Sequence, residues 1–258
     1  MNQQLAAHHK DKQEVLFPNG NKAQLMLTSP HAEAAEILDI LGIEQPEALI
    51  LIAGGADKLS ESIAPRLAQF FSRGIAQAAA DLKAVIIDGG TQSGVMEMMG
   101  QGVADRGRES ILLGVAPSHK VIYPGRPSDD VAKDSVPLDE NHSHFVLVES
   151  DEWGGETETM YALAKELTKG RAPVVTVLVN GGAVTREEVL RGVRQGWPLI
   201  VIEGSGRLAD QIAKLRREGL PNIDDPAMAE IIADGDLHLY KISSPAEGLK
   251  HLIVRKLK

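Results

Sequence analysis

Four glycine-rich turns carry most of the chemistry this chain can do: Gly54-Gly55, Gly89-Gly90, Gly181-Gly182 and Gly204-Ser205-Gly206. A backbone without Cβ atoms lets a phosphate come close, and the first amides of a following helix point at the anion unpaired. Thr91, Ser93 and Gly94 extend the second turn with hydroxyls and a further glycine. Arg207 follows the fourth turn, where its guanidinium can pair with a phosphate or with Asp210. Gly204-x-Gly206-x-x-Ala209 fits a dinucleotide fingerprint, but no strand with a well-placed acid follows it, so an ordinary NAD dehydrogenase is not expected. A P-loop motif is absent.

A second cluster is acidic. Glu149, Asp151, Glu152, Glu156 and Glu158 crowd one segment together with Trp153, Gly154, Gly155 and Thr157. A carboxylate there can accept a ribose hydroxyl or act as a general acid/base, with Glu156 and Glu158 the catalytic candidates; acids also simply suit a helix N-terminus. Trp153 can stack on a base or cap the core. His142-x-His144 could offer two imidazoles to a metal, but with no third ligand by motif, hydrogen bonding at a loop-to-strand junction is the expected use and no metal is assigned. Met96, Met98 and Met99 read as core packing.

These residues need a frame. Val15-Leu16-Phe17 and 23–27 flank Asn19-Gly20, a hairpin signal. Apolar runs at 48–53, 84–87, 111–116, 145–148, 174–179, 199–202 and 237–242 then alternate with helical patterns, among them 60–82, 93–106 and 245–257. Continuous apolar strands alternating with helices predict an α/β fold. The expected form is a Rossmann-like, doubly wound, mainly parallel sheet with helices on both faces and an N-terminal β-hairpin. Right-handed crossovers place every glycine turn on one edge, where open sheets bind ligands. A closed barrel fits the hairpin and the long 117–141 loop less well, and that loop is the natural lid. Residues 1–14 read as a disordered tail and 15–258 as a single domain.

Composition narrows the partners. The 258 residues carry 27 Lys+Arg against 36 Asp+Glu, a net charge of −9, which argues against a nucleic-acid grip. The absence of cysteine excludes disulfides, thiolate zinc sites and Cys nucleophiles. There is no apolar run long enough to span a membrane and no leader-like apolar stretch at the start, so no membrane insertion and a cytoplasmic location are expected.

Asp88-Gly-Gly-Thr-Gln-Ser-Gly-Val-Met96, Leu113-Gly-Val-Ala-Pro117, Asn141-His-Ser-His-Phe145, Trp153-Gly-Gly-Glu156, Asn180-Gly-Gly182 and Glu203-Gly-Ser-Gly-Arg-Leu-Ala-Asp210 occur in that order. This ordered set, across about residues 48–215, resembles the SLOG superfamily, in its prokaryotic branch similar to the cytosolic N-terminal region of melastatin-type TRP channels. The resemblance implies a Rossmann-like sheet that senses nucleotide-derived signals, ADP-ribose in the channel relatives. It implies that Gly181, Gly182 and Arg207 face a diphosphate, that Trp153 stacks on the ligand, and that Glu156 belongs to the same turn. Met160 stands where the ADP-ribose binder has arginine, which opens the reading to another NAD-derived or cyclic nucleotide. A second branch hydrolyses nucleoside monophosphates; its third glycine and catalytic glutamate are out of register in residues 153–161. The overall expectation is a ligand sensor for an ADP-ribose-like nucleotide that requires no cofactor, forms a homo-oligomer and acts through a separately encoded effector. The alternative is an N-glycosidase or phosphoribohydrolase acting on NAD or nucleoside monophosphates.

Overall fold

Strand β3 (Ala48–Gly54) is apolar from Ala48 to Ala53, so both of its faces must be covered. In the computed structural model, which describes residues 12–55, 59–127, 132–169, 171–219 and 223–258, they are. Ile50 and Ile52 pack on one face against α4 (Gly94–Ala104), α9 (Ala246–Lys256) and the helical stretch 64–82. Leu49 and Leu51 point the other way, against α1 (Ala34–Leu41) and α5 (Thr157–Thr168). Ala53 meets α6 (Ala183–Arg194), α7 (Arg207–Glu218) and α8 (Pro226–Asp234) on that same second face. The period-two alternation of the strand thus sorts three helix groups into two layers.

Eight further strands join β3: β1 (Gln13–Leu16), β2 (Lys22–Thr28), β4 (Ala84–Asp88), β5 (Leu112–Pro117), β8 (His144–Val148), β9 (Val174–Val179), β10 (Leu199–Glu203) and β11 (Leu237–Lys241). Their order is β1-β2-β8-β5-β4-β3-β9-β10-β11, an open sheet rather than a barrel. Within this sheet only β1 and β2, the hairpin strands, pair antiparallel among the described residues. From β3 the chain builds outward through β4 and β5, then returns to lay β9 on the other side of β3, with Gly54 in register with Val179. The β3/β9 boundary is therefore the topological switch point, where diverging crossovers open a crevice.

Several expectations shift. Gln13 and Glu14, assigned to a tail, lie in β1, and residues 1–11 fall outside the described residues. The helix expected over 60–82 begins at α2 (Ala64–Gln69), passes through a π-helical segment Phe70–Ala76 and finishes as α3 (Gln77–Leu82). Helix α1 had no expectation. The 117–141 loop holds β6 (Val121–Ile122) and β7 (Val136–Pro137), a parallel pair. It is tied down by Gln92 N–H to the Pro137 carbonyl at 2.7 Å and Asp139 N–H to the Gly90 carbonyl at 2.9 Å. Among the described residues no helix is long and apolar enough to cross a membrane.

Candidate functional site

The strand ends at the switch point open into a cleft of about 450 Å³. Helices α4, α5 and α6 all begin there, and none of the three has a side-chain cap on its first amides. Gly54, Gly55 and Gly182 form the side nearest the sheet, Gly89, Thr91 and Ser93 come from the turn before α4, and Trp153 and Glu156 come from the turn before α5. Arg207 reaches in from the start of α7. The sequence thus assembled nine of the lining residues from five separate segments.

The glycines are required by close approach. A Cβ on Gly54 would lie 2.8 Å from the Val179 carbonyl oxygen, so any side chain would part β3 from β9. A Cβ on Gly182 would lie 2.7 Å from Nη2 of Arg207, and one on Gly55 would lie 3.4 Å from Nη1. The guanidinium therefore rests against both glycine turns at once. Asp210, its alternative partner, instead accepts the Gly204 N–H at 2.6 Å. Among the described residues no carboxylate pairs with Arg207, which stays exposed.

Other expected residues lie elsewhere. The Gly204-Ser205-Gly206 turn is closed on itself. Buried Ser205 accepts the Asn180 N–H at 2.8 Å and donates to the Ile202 carbonyl at 2.6 Å. The Asn180 carbonyl accepts the Ala209 N–H at 3.0 Å, filling the helix terminus that a phosphate would need. Asp151 turns away to His119, with Nδ1 2.5 Å from Oδ1. Glu158 is exposed and outside the cleft. Gly90, Gly94, Gly154, Gly155, Thr157 and Gly181 adjoin lining residues without lining the cleft. Met160 is buried in the core beneath α5.

Sequence reasoning missed several lining residues: Ile52, Asp134, Val136, Ala183, Val184, Thr185 and Glu188, and it took Met96 for core alone. Asp134 is held by Lys120 through bonds of 2.9 and 2.8 Å. Glu188 had a legible signal. It falls three residues after Thr185 and four after Val184, so a helix starting at Gly182 puts all three on one face.

Electrostatically the cleft has two tiers. In one, outside the cleft lining, His142 donates from Nε2 to Asp88 at 2.8 Å and from Nδ1 to Asp139 at 2.9 Å, all three being buried. Burial alone would lower the imidazole, but the Asp88 carboxylate and the two hydrogen bonds outweigh it and raise it to about 9. Both ring nitrogens of His142 are thus committed to carboxylates, while His144 Nδ1 meets Ser143 Oγ at 2.9 Å. Asp88 also accepts the Gly90 N–H at 2.7 Å, which shapes the second glycine turn. In the wall, burial pushes Glu156 up to about 7, opposed by the hydrogen bond its carboxylate accepts from Gly154 N–H at 2.8 Å. Burial, with repulsion from Glu156 and Asp88, pushes Glu188 up to about 8. A cation beside open amides suits an anion; carboxyls that hold their protons near neutrality suit hydroxyls or proton transfer.

Residues 47–247 match the family model described as SLOG in TRPM, prokaryote. The chain belongs to this family. Relatives of the SLOG domain include transient receptor potential cation channel subfamily M member 2 of Mus musculus, 32% identical over 206 residues, covering 67% of this chain and 14% of the channel. Member-like 2 of Nematostella vectensis is 29% identical over 206 residues, covering 66% and 13%. Member 7 of Homo sapiens is 26% identical over 236 residues, covering 80% and 12%. This SLOG chain thus spans about one-eighth of the length of the curated relatives it matches.

Proposed function

We propose that this SLOG chain binds a nucleotide-derived ligand through its diphosphate, with ADP-ribose or a related NAD-derived or cyclic nucleotide as the chemical class. One observation carries the reading: the Arg207 guanidinium, without a carboxylate partner among the described residues, fills the space where Gly55 and Gly182 lack a Cβ at the switch point. The helix amides and the guanidinium together neutralise about two negative charges. Trp153, 39% exposed at the rim, offers a flat face to a base. Binding stabilises the folded state by mass action. Incubation with NAD, ADP-ribose and AMP therefore raises the unfolding temperature for the diphosphates above that for AMP. The same rise for all three, or none, refutes the reading.

A second reading, cleavage of the N-glycosidic bond of such a ligand, is favoured by Glu156, a buried cleft carboxyl that titrates near neutrality. Chromatography of the same mixtures tests it. Free nicotinamide or adenine supports cleavage, and unchanged nucleotide supports binding alone.

A further inference from the structure

The nine-stranded sheet ends in two unlike edges. Strand β1 is four residues long, and its Glu14 is tied to Lys22 of β2 at 2.8 Å. At the opposite edge β11 pairs on one side only, with β10, in an unbroken parallel register. The Asp236 carbonyl accepts the Leu199 N–H at 2.9 Å, and the Ile242 N–H donates to the Glu203 carbonyl at 2.8 Å. Alternation along the strand then turns the amides and carbonyls of His238 and Tyr240 toward β10 and those of Leu237, Leu239 and Lys241 outward. The Leu237 N–H and the Lys241 carbonyl are bonded to Gly235 and Ser244. The Leu237 carbonyl, both backbone groups of Leu239 and the Lys241 N–H remain along the rim. Such a rim is a template for another strand, and β11 has no proline to close it.

A groove of about 550 Å³ runs beside this rim. One wall is β11. The other is Gly248, His251, Leu252 and Arg255, an i, i+3, i+4, i+7 stripe of α9. The two faces of the rim differ: Leu237 and Leu239 pack toward the α8 layer, Tyr240 toward the α9 layer. Among the described residues no Asp or Glu lines the groove. His238 is matched by Asp236, 2.7 Å away, whereas the exposed Lys241, His251 and Arg255 have no ion-pair partner among the described residues. Residues 237–258 hold five Lys and Arg against one Glu, in a chain whose net charge is −9.

We propose that β11 is a docking edge for an extended, acidic segment of a partner protein, which joins the sheet as a further strand. Backbone pairing supplies the attachment and alternate side chains the selection. An added strand alternates as β11 does. One set of its side chains lies over His251 and Arg255 and favours Asp or Glu; the other lies beside Leu237 and Leu239 and favours apolar residues. Charge argues against a second copy of this chain as the occupant. Two-fold pairing of β11 with itself would set the His251 and Arg255 rows of both copies side by side. The same cations thus shield the edge from self-association and admit an acid-bearing strand. The proposal is independent of the diphosphate reading.

The test titrates the full chain into fluorescently labelled peptides of about ten residues and follows anisotropy. The probe alternates Glu and Val. One control alternates Lys and Val, and another is the Glu-Val peptide N-methylated at alternate amides. Wild type binds the Glu-Val peptide saturably and one-to-one and does not bind the Lys-Val peptide. N-methylation of the amides that face the edge weakens binding by about tenfold or more, the scale of one or two lost hydrogen bonds. The Lys241→Glu/Arg255→Glu double variant loses about tenfold in affinity for the Glu-Val peptide, gains affinity for the Lys-Val peptide and unfolds at nearly the wild-type temperature. The control peptides decide on wild type alone should the variant not fold. No binding of the Glu-Val peptide overturns the proposal. So does equal binding of its N-methylated form, the mark of charge attraction without strand pairing, or an unchanged affinity in a folded double variant. Tighter binding of an oligothymidylate of equal charge also overturns it, in favour of a nucleic-acid groove.

Discussion

Two acidic centres of the molecule are built on opposite terms. In the lower one, Asp88 and Asp139 share the buried His142, whose two N–H groups both find carboxylates. In the upper one, Glu156 accepts only backbone N–H groups, Gly154 among them, and the Glu188 carboxyl makes no hydrogen bond or ion pair among the described residues. The glycine turns divide the same way. Gly204-Ser205-Gly206 is consumed by its own neighbours, whereas Gly54, Gly55 and Gly182 line the cleft beside Arg207. Groups partnered within the chain hold the fold together. Groups left without partners in a cleft weaken it and are available to a ligand.

The comparison breaks most visibly at His142. His142→Ala leaves two carboxylates buried without their cation and is expected to cost about 3–5 kcal/mol in urea unfolding. A loss under about 1 kcal/mol would erase the contrast between the tiers. Both tiers also predict that stability falls as pH rises, in different windows. Glu156 and Glu188, raised by burial to about 7 and about 8 in the folded chain, carry no ionisation penalty below about 4.5, and stability falls as pH climbs from there through those values. His142, raised to about 9, contributes stability that is whole below about 6.5 and lost as pH climbs through 9. The Glu156→Gln/Glu188→Gln double variant should flatten the lower window, worth up to about 3 kcal/mol for Glu156 and about 5 kcal/mol for Glu188, and leave the upper one. Denaturant midpoints from pH 4 to 10 read both; an unaltered lower window in the double variant contradicts the assignment.

Smaller effects sharpen the contrast between the glycine turns. Ser205→Ala strands the buried Asn180 N–H and should cost about 1–2 kcal/mol in thermal or urea unfolding. Arg207→Ala, two residues further on, should change the stability of the free protein by less than about 0.5 kcal/mol, since the guanidinium has no carboxylate partner among the described residues. Equal losses for the two would show that both turns serve the fold alone.

The fold was legible because continuous apolar runs such as Val174–Val179 have one physical solution, burial on both faces of a parallel sheet. The site was legible where glycine pairs ended those strands, because backbone approach needs glycine. It was illegible where the deciding fact was a long-range partner. Gly204-x-Gly206 looks as open in sequence as Gly181-Gly182, and only the Ser205 and Asn180 hydrogen bonds distinguish them. His142 read as a junction residue because Asp88 lies fifty-four positions away. Asp134 and Val136 were hidden in a loop whose pairing with β6 no periodicity announces. Glu188 sat in an Arg-Glu-Glu run that resembles any solvated helix face, and only its phase relative to Gly182 set it apart.

The central claim is that the switch-point cleft neutralises a diphosphate with Arg207 and the flanking turns. Calorimetric titration of ADP-ribose into wild type and Arg207→Ala tests it most directly. Saturable one-to-one binding by wild type, weakened by about 1.5–3 kcal/mol in the variant, is the predicted result. Equal affinity in the two proteins, or no heat of binding in wild type, would contradict it.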